Sequence, residues 1–332
     1  MPFTLDLSED QFNRTLQEID DLMASKGEKI QGRELRGWML FCGRYKLEGI
    51  RMDDPLSRKV MEWFSVRYGE RLNLDTDFGH AVLLLRGDVI RFRCPRFFGR
   101  VFEMCCPEVM HWGFNEIGNN RPVLSNVLSV TNGMTRAYAE SLSKQEREHF
   151  LKIAVKSKLF FARIDDAGGP TYVPEGQADL RTAVEQMMMN QPQFGPSKYS
   201  SLQAVEKFLK AYIDQRGATF DRVHKLNELA ARAECLDLRP LDRAMLGLVQ
   251  CPADVRYDSS LVTKAQAVQA HQVAVSVCSM IAEQLSGRSE WNTGVLGRVS
   301  LSFDGLADSV PAILISRTKE RMTFNRQIED EL

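Results

Sequence analysis

Apolar residues recur every three or four positions near the beginning of the chain, which is the spacing of one helix face. Ser8 and Gln11 match a capping box, and apolar side chains follow at positions 12, 16, 19 and 23. This pattern predicts an amphipathic helix. A second helix is predicted to begin at Asp54 and Pro55, because a proline in the first turn removes no helical hydrogen bond, and to end at Gly69.

A β-hairpin is predicted after these helices. Residues 81–85 and 89–92 favour strands, and a Gly-Asp turn separates them. Residues 118–133 are loop-like at both ends. Ser143 and Glu146 then form a second capping box, which predicts a helix through about residue 159. The N-terminal part of the chain is therefore expected to mix helices and strands.

Glycine and proline interrupt the pattern twice in the middle of the chain. Residues 167–176 contain three glycines and two prolines, which predicts a connector. A helix from about Asp179 to Asn190 is expected next. The second break, at 191–197, marks the predicted domain boundary.

Beyond this boundary the apolar spacing is that of helices. The apolar positions fall into four groups with short connections, which is typical of a helical bundle, over residues 202–213, 223–230, 241–248 and 267–285. After Trp291 the pattern changes to strand-like runs at 299–303 and 312–315. We therefore predict an α+β fold in three parts: an α+β module over 1–190, a four-helix bundle over 198–286 and a short β-like C-terminal extension over 287–332.

Composition and charge narrow the classes of function. Of 332 residues, 44% are hydrophobic, and 43 basic residues nearly balance 44 acidic ones, so any affinity for nucleic acid must come from a local patch. No apolar run reaches the length of about 18–20 residues that a membrane helix needs, and the first residues do not resemble a signal peptide. We expect a cytoplasmic protein that does not bind membranes. The seven cysteines include no CxxC pair, which favours reduced thiols.

The hairpin region carries the densest positive charge of the N-terminal module. Residues 86–100 contain five arginines and one aspartate, with phenylalanines between them. Arg91, Arg93, Arg96 and Phe97 are candidate contacts to single-stranded nucleic acid, because arginines neutralise phosphates while aromatic rings stack on bases. Strand alternation explains the same pattern without a ligand, since a half-buried strand also places its arginines in water. Both interpretations stay open here.

The chain offers no metal or cofactor motif. His80, His111 and the cysteines at 94, 105 and 106 are not spaced like zinc ligands. The glycines form neither a dinucleotide-binding fingerprint nor a Walker sequence. We therefore predict no metal and no cofactor, and no residue is assigned a catalytic role.

The second half of the chain resembles the HEPN domain family. Residues 201–211, SLQAVEKFLKA, are similar to the first helix of that domain. A short polar stretch with glycine follows, then His224-Lys-Leu-Asn-Glu-Leu229, and Arg256-Tyr257 precedes a long alanine-rich helix, again as in the family. The resemblance covers about residues 198–286. The chain departs from the family pattern at Lys225, where many members carry an acid, and at Asp258, where proline often follows Arg-Tyr.

The resemblance implies an antiparallel four-helix bundle that is commonly dimeric. The family contains nucleotide-binding modules, partners of nucleotidyltransferases, and ribonucleases that share an Arg, then four to six residues, then His. No histidine of this chain has an arginine at that spacing; the nearest pair, Arg216 and His224, has seven residues between. We therefore expect a HEPN-like domain without the ribonuclease pair.

Four residues of the bundle are candidate nucleotide contacts: His224, Arg216, Arg256 and Tyr257. A histidine at a helix N-terminus can donate to a phosphate, and an Arg-Tyr pair offers a guanidinium for phosphate and a ring for stacking. The alternatives are that His224 bonds across the bundle, that Arg256 pairs with an acid such as Asp254 or Asp258, and that Tyr257 covers the bundle end.

These observations support one leading hypothesis and two rivals. The leading hypothesis is a homodimeric protein that binds a nucleotide or single-stranded nucleic acid without hydrolysing it. The first rival is an enzyme whose active site lies in the N-terminal module, with the bundle as a dimerisation and substrate-positioning domain. The second is a pure interaction scaffold.

Overall fold

The computed structural model describes most of the chain, and the description below is confined to that part. It covers residues 7–47, 54–72, 77–109, 123–169, 171–220, 225–286, 292–301, 310–319 and 325–332. The chain divides into two compact units, unit 1 (Met1–Thr76) and unit 2 (Asp77–Leu332). The predicted α+β class is confirmed, because helices and strands are both present.

The described part of unit 1 is helical. It contains α1 (Glu9–Ser25), α2 (Arg33–Tyr45) and α3 (Pro55–Tyr68). The capping box predicted for α1 is confirmed, and so is the start of α3 at an aspartate cap followed by proline. The helix α2 was not predicted. Its apolar face joins those of α1 and α3 in one core around Phe41 and Phe64.

A single acidic side chain ties the three helices of unit 1 together. The Asp20 carboxylate of α1 is 2% exposed and accepts from Arg33 Nη1 at 3.0 Å and from Tyr68 Oη at 2.6 Å. Arg67 Nε lies 3.0 Å from its second oxygen. Because a buried carboxylate needs such partners, this group favours one arrangement of α1, α2 and α3.

Unit 2 begins with the predicted hairpin. Strands β1 (Asp77–Leu85) and β2 (Asp88–Pro95) pair antiparallel, with Leu85 opposite Asp88. The two turn residues between them, Arg86 and Gly87, have positive φ of 51° and 87°. Positive φ at both central residues is the requirement of the two-residue turn that matches strand twist. The hairpin prediction is confirmed.

A second sheet joins distant parts of the chain. Its strands lie in the order β4–β3–β6–β5, and they are β3 (Gly99–Met104), β4 (Val123–Asn126), β5 (Asn292–Leu301) and β6 (Val310–Thr318). Only the β3–β4 pair is parallel. The tail predicted as a separate extension over 287–332 thus pairs with β3 of the N-terminal half. The stretch 118–133 also contains a strand, β4, in its described part.

Eight helices are described in unit 2. They are α4 (Arg136–Ser141), α5 (Lys144–Asp166), α6 (Val173–Met187), α7 (Phe194–Gln215), α8 (Leu226–Glu234), α9 (Arg243–Val249), α10 (Lys264–Leu285) and α11 (Arg326–Glu331). Three of these helices, α5, α7 and α10, have more than 20 residues. Helix α7 packs against α6, α8 and α10, and α10 also packs against α5 and α9. The capping box predicted at the start of α5 is confirmed.

The structure divides the chain at 76/77, whereas the sequence predicts a boundary at 191–197. That break spans the end of the turn between α6 and α7 and the first residues of α7, and these two helices pack closely against each other. Ser197 Oγ donates to the Ala183 carbonyl at 2.8 Å, and a Cβ added at Gly176 would lie 2.8 Å from the Phe208 ring. The glycines and prolines therefore mark a change of direction inside one core. Helix α6 also begins earlier than predicted, because Pro174 is accommodated in its first turn.

Two further observations concern the cysteines and the apolar character of the helices. All seven cysteines are free thiols, as predicted. Within the described ranges, none of the helices combines the length and apolar character required of a membrane span.

Candidate functional site

Arg256 lies between two tyrosine rings at the surface of unit 2. Its guanidinium carbon is 4.8 Å from the centroid of the Tyr257 ring and 5.1 Å from that of Tyr199 on α7. Arg256 Nη2 also donates to Tyr257 Oη, and this hydrogen bond raises the pKa of Arg256 above its ordinary value. We call Arg256, Tyr257 and Tyr199 the Arg256 cluster.

The backbone near the start of α7 explains why these three side chains meet. The turn Ala253–Arg256 lies so close to Gly195 that an added Cβ would be 2.2 Å from the Val255 carbonyl oxygen. Ser259 Oγ donates to Gln193 Oε1 at 3.0 Å and holds the following residues to the same end of α7. Tyr199 lies one helical turn after Gly195 on α7, beside the Ala253–Arg256 segment.

No carboxylate of the described residues balances the charge of the Arg256 cluster. Among the described residues, Arg256 has no ion-pair partner, so the predicted alternative of pairing with Asp254 or Asp258 is wrong. The Asp258 carboxylate instead accepts from the backbone N–H and Oγ of Ser260, which lowers the pKa of Asp258. Tyr257 is 77% exposed, so it does not cover the end of the bundle. The cluster presents a cation and a π surface to solvent.

Arg216 lies at the opposite end of α7. Its guanidinium carbon is 4.2 Å from the Tyr212 ring centroid, and Nη2 donates to Tyr212 Oη at 3.1 Å. Tyr199 and Arg216 are separated by about 25 Å along the helix, at ~1.5 Å per residue. The structure therefore does not bring Arg216 and Arg256 into one site. His224, the fourth candidate, lies outside the described residues.

The arginines of the hairpin are spread over different surroundings. Arg93 forms a two-point contact with Asp77, with Nε to Oδ2 at 2.8 Å and Nη2 to Oδ1 at 3.1 Å. Arg96 Nη1 lies 2.6 Å from Asp165 Oδ1 at the end of α5. Arg91 is half-buried. Two of the three guanidinium groups thus already face carboxylates of the chain.

The prediction that Phe97 stacks on a base is wrong. Phe97 is 4% exposed and its ring meets that of Phe78 edge to face, with centroids 5.9 Å apart. The alternation of inward and outward side chains along β2 ends at Pro95, because residues 96–98 form the connection to β3. In this connection Phe98 is the exposed ring, at 60%.

Two functional features were missed by sequence analysis. The first is Tyr199, which belongs to the Arg256 cluster. It lies within a helix whose apolar spacing does not indicate that this residue has a role at the surface. The second feature is a buried ion pair between Lys158 of α5 and Glu103 of β3. Ser125 Oγ of β4 donates to Glu103 Oε1 at 2.9 Å and lies 3.2 Å from Lys158 Nζ. A lysine inside the apolar face of a helix is the signal that could have indicated this pair.

No family model, no curated protein and no solved structure matches the chain. Over the described part of the chain, no group of three or more His, Cys, Asp or Glu side chains is arranged to hold a metal ion.

Proposed function

We propose that this protein binds a nucleotide or a single-stranded nucleic acid, without hydrolysing it, and that the Arg256 cluster contacts the ligand. The main support for this proposal comes from the contacts that Arg256 makes. It is an exposed guanidinium without a carboxylate partner in the described chain, held between two tyrosine rings of which one is 77% exposed.

The chemistry of the cluster fits a base that carries a phosphate. A guanidinium presents a planar fork of N–H donors, which matches phosphate oxygens. A solvent-exposed tyrosine ring offers a stacking surface to any base, and its hydroxyl already orients the guanidinium. Burial raises the pKa of the Cys251 thiol to about 11. The positive charge of Lys198, the residue before Tyr199, acts on that pKa in the opposite direction. A second cation thus lies on the same end of α7.

The proposal includes the HEPN-like arrangement that the sequence resemblance implies. In it, α7, α8, α9 and α10 form an antiparallel four-helix bundle of a cytoplasmic, homodimeric protein. The packing of α7 on α8 and α10, and of α10 on α9, supports this arrangement. The apolar positions of α10 do not supply the dimer interface, because Ala270, Ala274, Val277 and Ile281 are at most 1% exposed within the single chain. The homodimer stays a prediction that rests on the resemblance.

Binding of a fluorescent oligouridylate to the full-length chain tests the proposed function. We expect Arg256→Gln to weaken binding by about tenfold and to flatten the dependence of log K on log salt by about 0.7, the effect of one lost phosphate contact. Tyr257→Ala should cost about 1–3 kcal/mol of binding free energy, whereas Tyr257→Phe should keep most of it. Unlabelled uridine monophosphate as competitor distinguishes a mononucleotide site from a strand-binding surface.

Arg239→Gln is the matched control, because Arg239 is an exposed arginine of unit 2 that faces Glu283. It should leave both affinity and salt dependence unchanged. If Arg256→Gln behaves like Arg239→Gln, or if the wild type binds neither probe at low salt, the Arg256 cluster is not the ligand site.

A further inference from the structure

A cavity of about 220 Å³ lies between α5, α10 and β1, away from the Arg256 cluster. The residues that line it include His271 and Ser276 of α10, Lys156 and Phe160 of α5, and Val82 of β1. The wall is therefore mostly apolar, with a few polar groups that converge on one space. This is the usual composition of a small-molecule site.

His271 is the most unusual group of this wall. It is 1% exposed, and neither ring nitrogen makes a hydrogen bond within the described chain. Burial lowers the pKa of His271 to about 4, against a weaker opposing effect of the His80 backbone. At neutral pH the ring is therefore uncharged and offers one N–H donor and one nitrogen acceptor. Buried polar groups in proteins are nearly always paired, so an unpaired imidazole on a cavity wall indicates a missing partner.

The cavity is also bordered by a cation for which the described residues supply no counter-ion. Lys156 makes no ion pair among the described residues, and its ammonium lies 5.7 Å from the centroid of the Phe160 ring, one turn further along α5. Residues four apart share a helix face, so the cation and the ring border the cavity together. A ligand that occupies this space meets a positive charge beside an aromatic surface.

The walls of the cavity are held in place by the fold. Gln272 Nε2 of α10 donates to the Val82 carbonyl of β1 at 2.9 Å and fixes the helix to the hairpin. Helices α5 and α10 also pack directly against each other. The polar groups are thus presented by rigid elements, which favours a preformed site.

We propose that this cavity binds a small organic anion built on a single heteroaromatic ring. Its carboxylate pairs with Lys156, its ring lies against Phe160 and Val82, and its ring nitrogen accepts the N–H of His271. The volume favours one ring, because sites for drug-sized ligands are usually about 300–1,000 Å³. This site is independent of the Arg256 cluster, and the proposed function does not depend on it.

Calorimetry with three probes on the full-length protein tests this site. Nicotinate carries both the carboxylate and the ring nitrogen, benzoate lacks the nitrogen, and nicotinamide lacks the charge. We expect saturable binding of nicotinate, with benzoate and nicotinamide each weaker by about tenfold, the cost of one unpaired polar group in a buried site. Lys156→Gln should abolish the preference of the site for nicotinate over nicotinamide.

Lys152→Gln is the control variant, because Lys152 lies one turn before Lys156 on α5 and does not border this cavity. It should bind nicotinate like the wild type.

His271→Leu should remove the preference for nicotinate over benzoate. If that variant does not fold, the comparison of nicotinate with benzoate on the wild type still tests the role of His271. The proposal is wrong if nicotinate does not bind saturably at millimolar concentration, if it binds no better than benzoate, or if Lys156→Gln and Lys152→Gln behave alike.

Discussion

At the scale of single residues, the structure separates charges that face solvent from charges that face a partner. Arg256 and Arg96 look alike in the sequence, since each stands beside aromatic residues. Arg96 Nη1 lies 2.6 Å from Asp165 Oδ1, 69 positions further along the chain, whereas within the described residues Arg256 contacts tyrosine rings and no carboxylate. Sequence analysis identified both as candidates but could not distinguish them, because a distant partner leaves no local pattern.

The Lys158–Glu103 pair is the clearest case of a buried charge that requires its partner. Both side chains are at most 4% exposed. We expect Lys158→Met to lower the free energy of unfolding by about 3–5 kcal/mol, because it leaves Glu103 buried without its counter-charge. Urea denaturation followed by circular dichroism measures the loss. The double variant Lys158→Met/Glu103→Gln should recover most of it.

The control for this prediction is Lys152→Met, a partly exposed lysine on the same helix. Its effect should stay within about ±0.5 kcal/mol, as for most surface substitutions. Equal stability of the Lys158→Met and Lys152→Met variants would contradict a stabilising role of the ion pair.

At the scale of elements, strong local signals predicted the structure correctly, whereas weak signals did not. The capping boxes at Ser8 and Ser143 and the turn at Gly87 act within a few residues, so the helices and the hairpin they control were predicted. Helix α2 was missed, since it contains two glycines, which disfavour helices. Strand β4 has only four residues, too few for an alternating pattern to be recognised.

The start of α5 is held to the hairpin turn by one ion pair, and this contact gives a pH-dependent prediction. Arg86 donates to both oxygens of Glu146, at 2.6 and 2.7 Å. The hydrogen bonds from Arg86, and then those from Ser143, lower the pKa of Glu146 to about 2. Because the folded-state pKa is lowered, the contribution of this pair to stability is present above the unfolded pKa of ~4.3. That contribution is lost as the pH falls towards about 2.

Carboxyl-carbon NMR of the Glu146 side chain measures this directly. We expect Arg86→Gln to raise the titration midpoint of Glu146 by about one pH unit or more, since an adjacent cation lowers a carboxyl pKa by ~1–3. Arg136→Gln removes a comparable exposed pair with Glu140 on α4 and should leave the midpoint of Glu146 unchanged. An unchanged midpoint in Arg86→Gln would show that this arginine does not control the carboxylate.

At the scale of the whole molecule, the division of the chain was the hardest property to predict. Strand β6 pairs with β3, although about 200 residues separate them along the chain. Such long-range pairing has no local sequence signature, so the tail was predicted as an extension. The break at 191–197 has the composition of a linker, yet it lies at the junction of two helices that belong to one core. The α+β class followed from the pattern, whereas the assembly of its parts did not.

Photo-cross-linking shows whether the Arg256 cluster contacts a base and its phosphate. A short oligouridylate that contains 4-thiouridine is irradiated with the full-length protein, and the cross-linked peptides are mapped by mass spectrometry. We expect the nucleotide to be attached at Tyr257 or Tyr199, and we expect Arg256→Gln to reduce this product while Arg239→Gln does not. Cross-links confined to other segments, such as the β1–β2 hairpin, or no specific cross-link at all, would mean that the Arg256 cluster is not the ligand site.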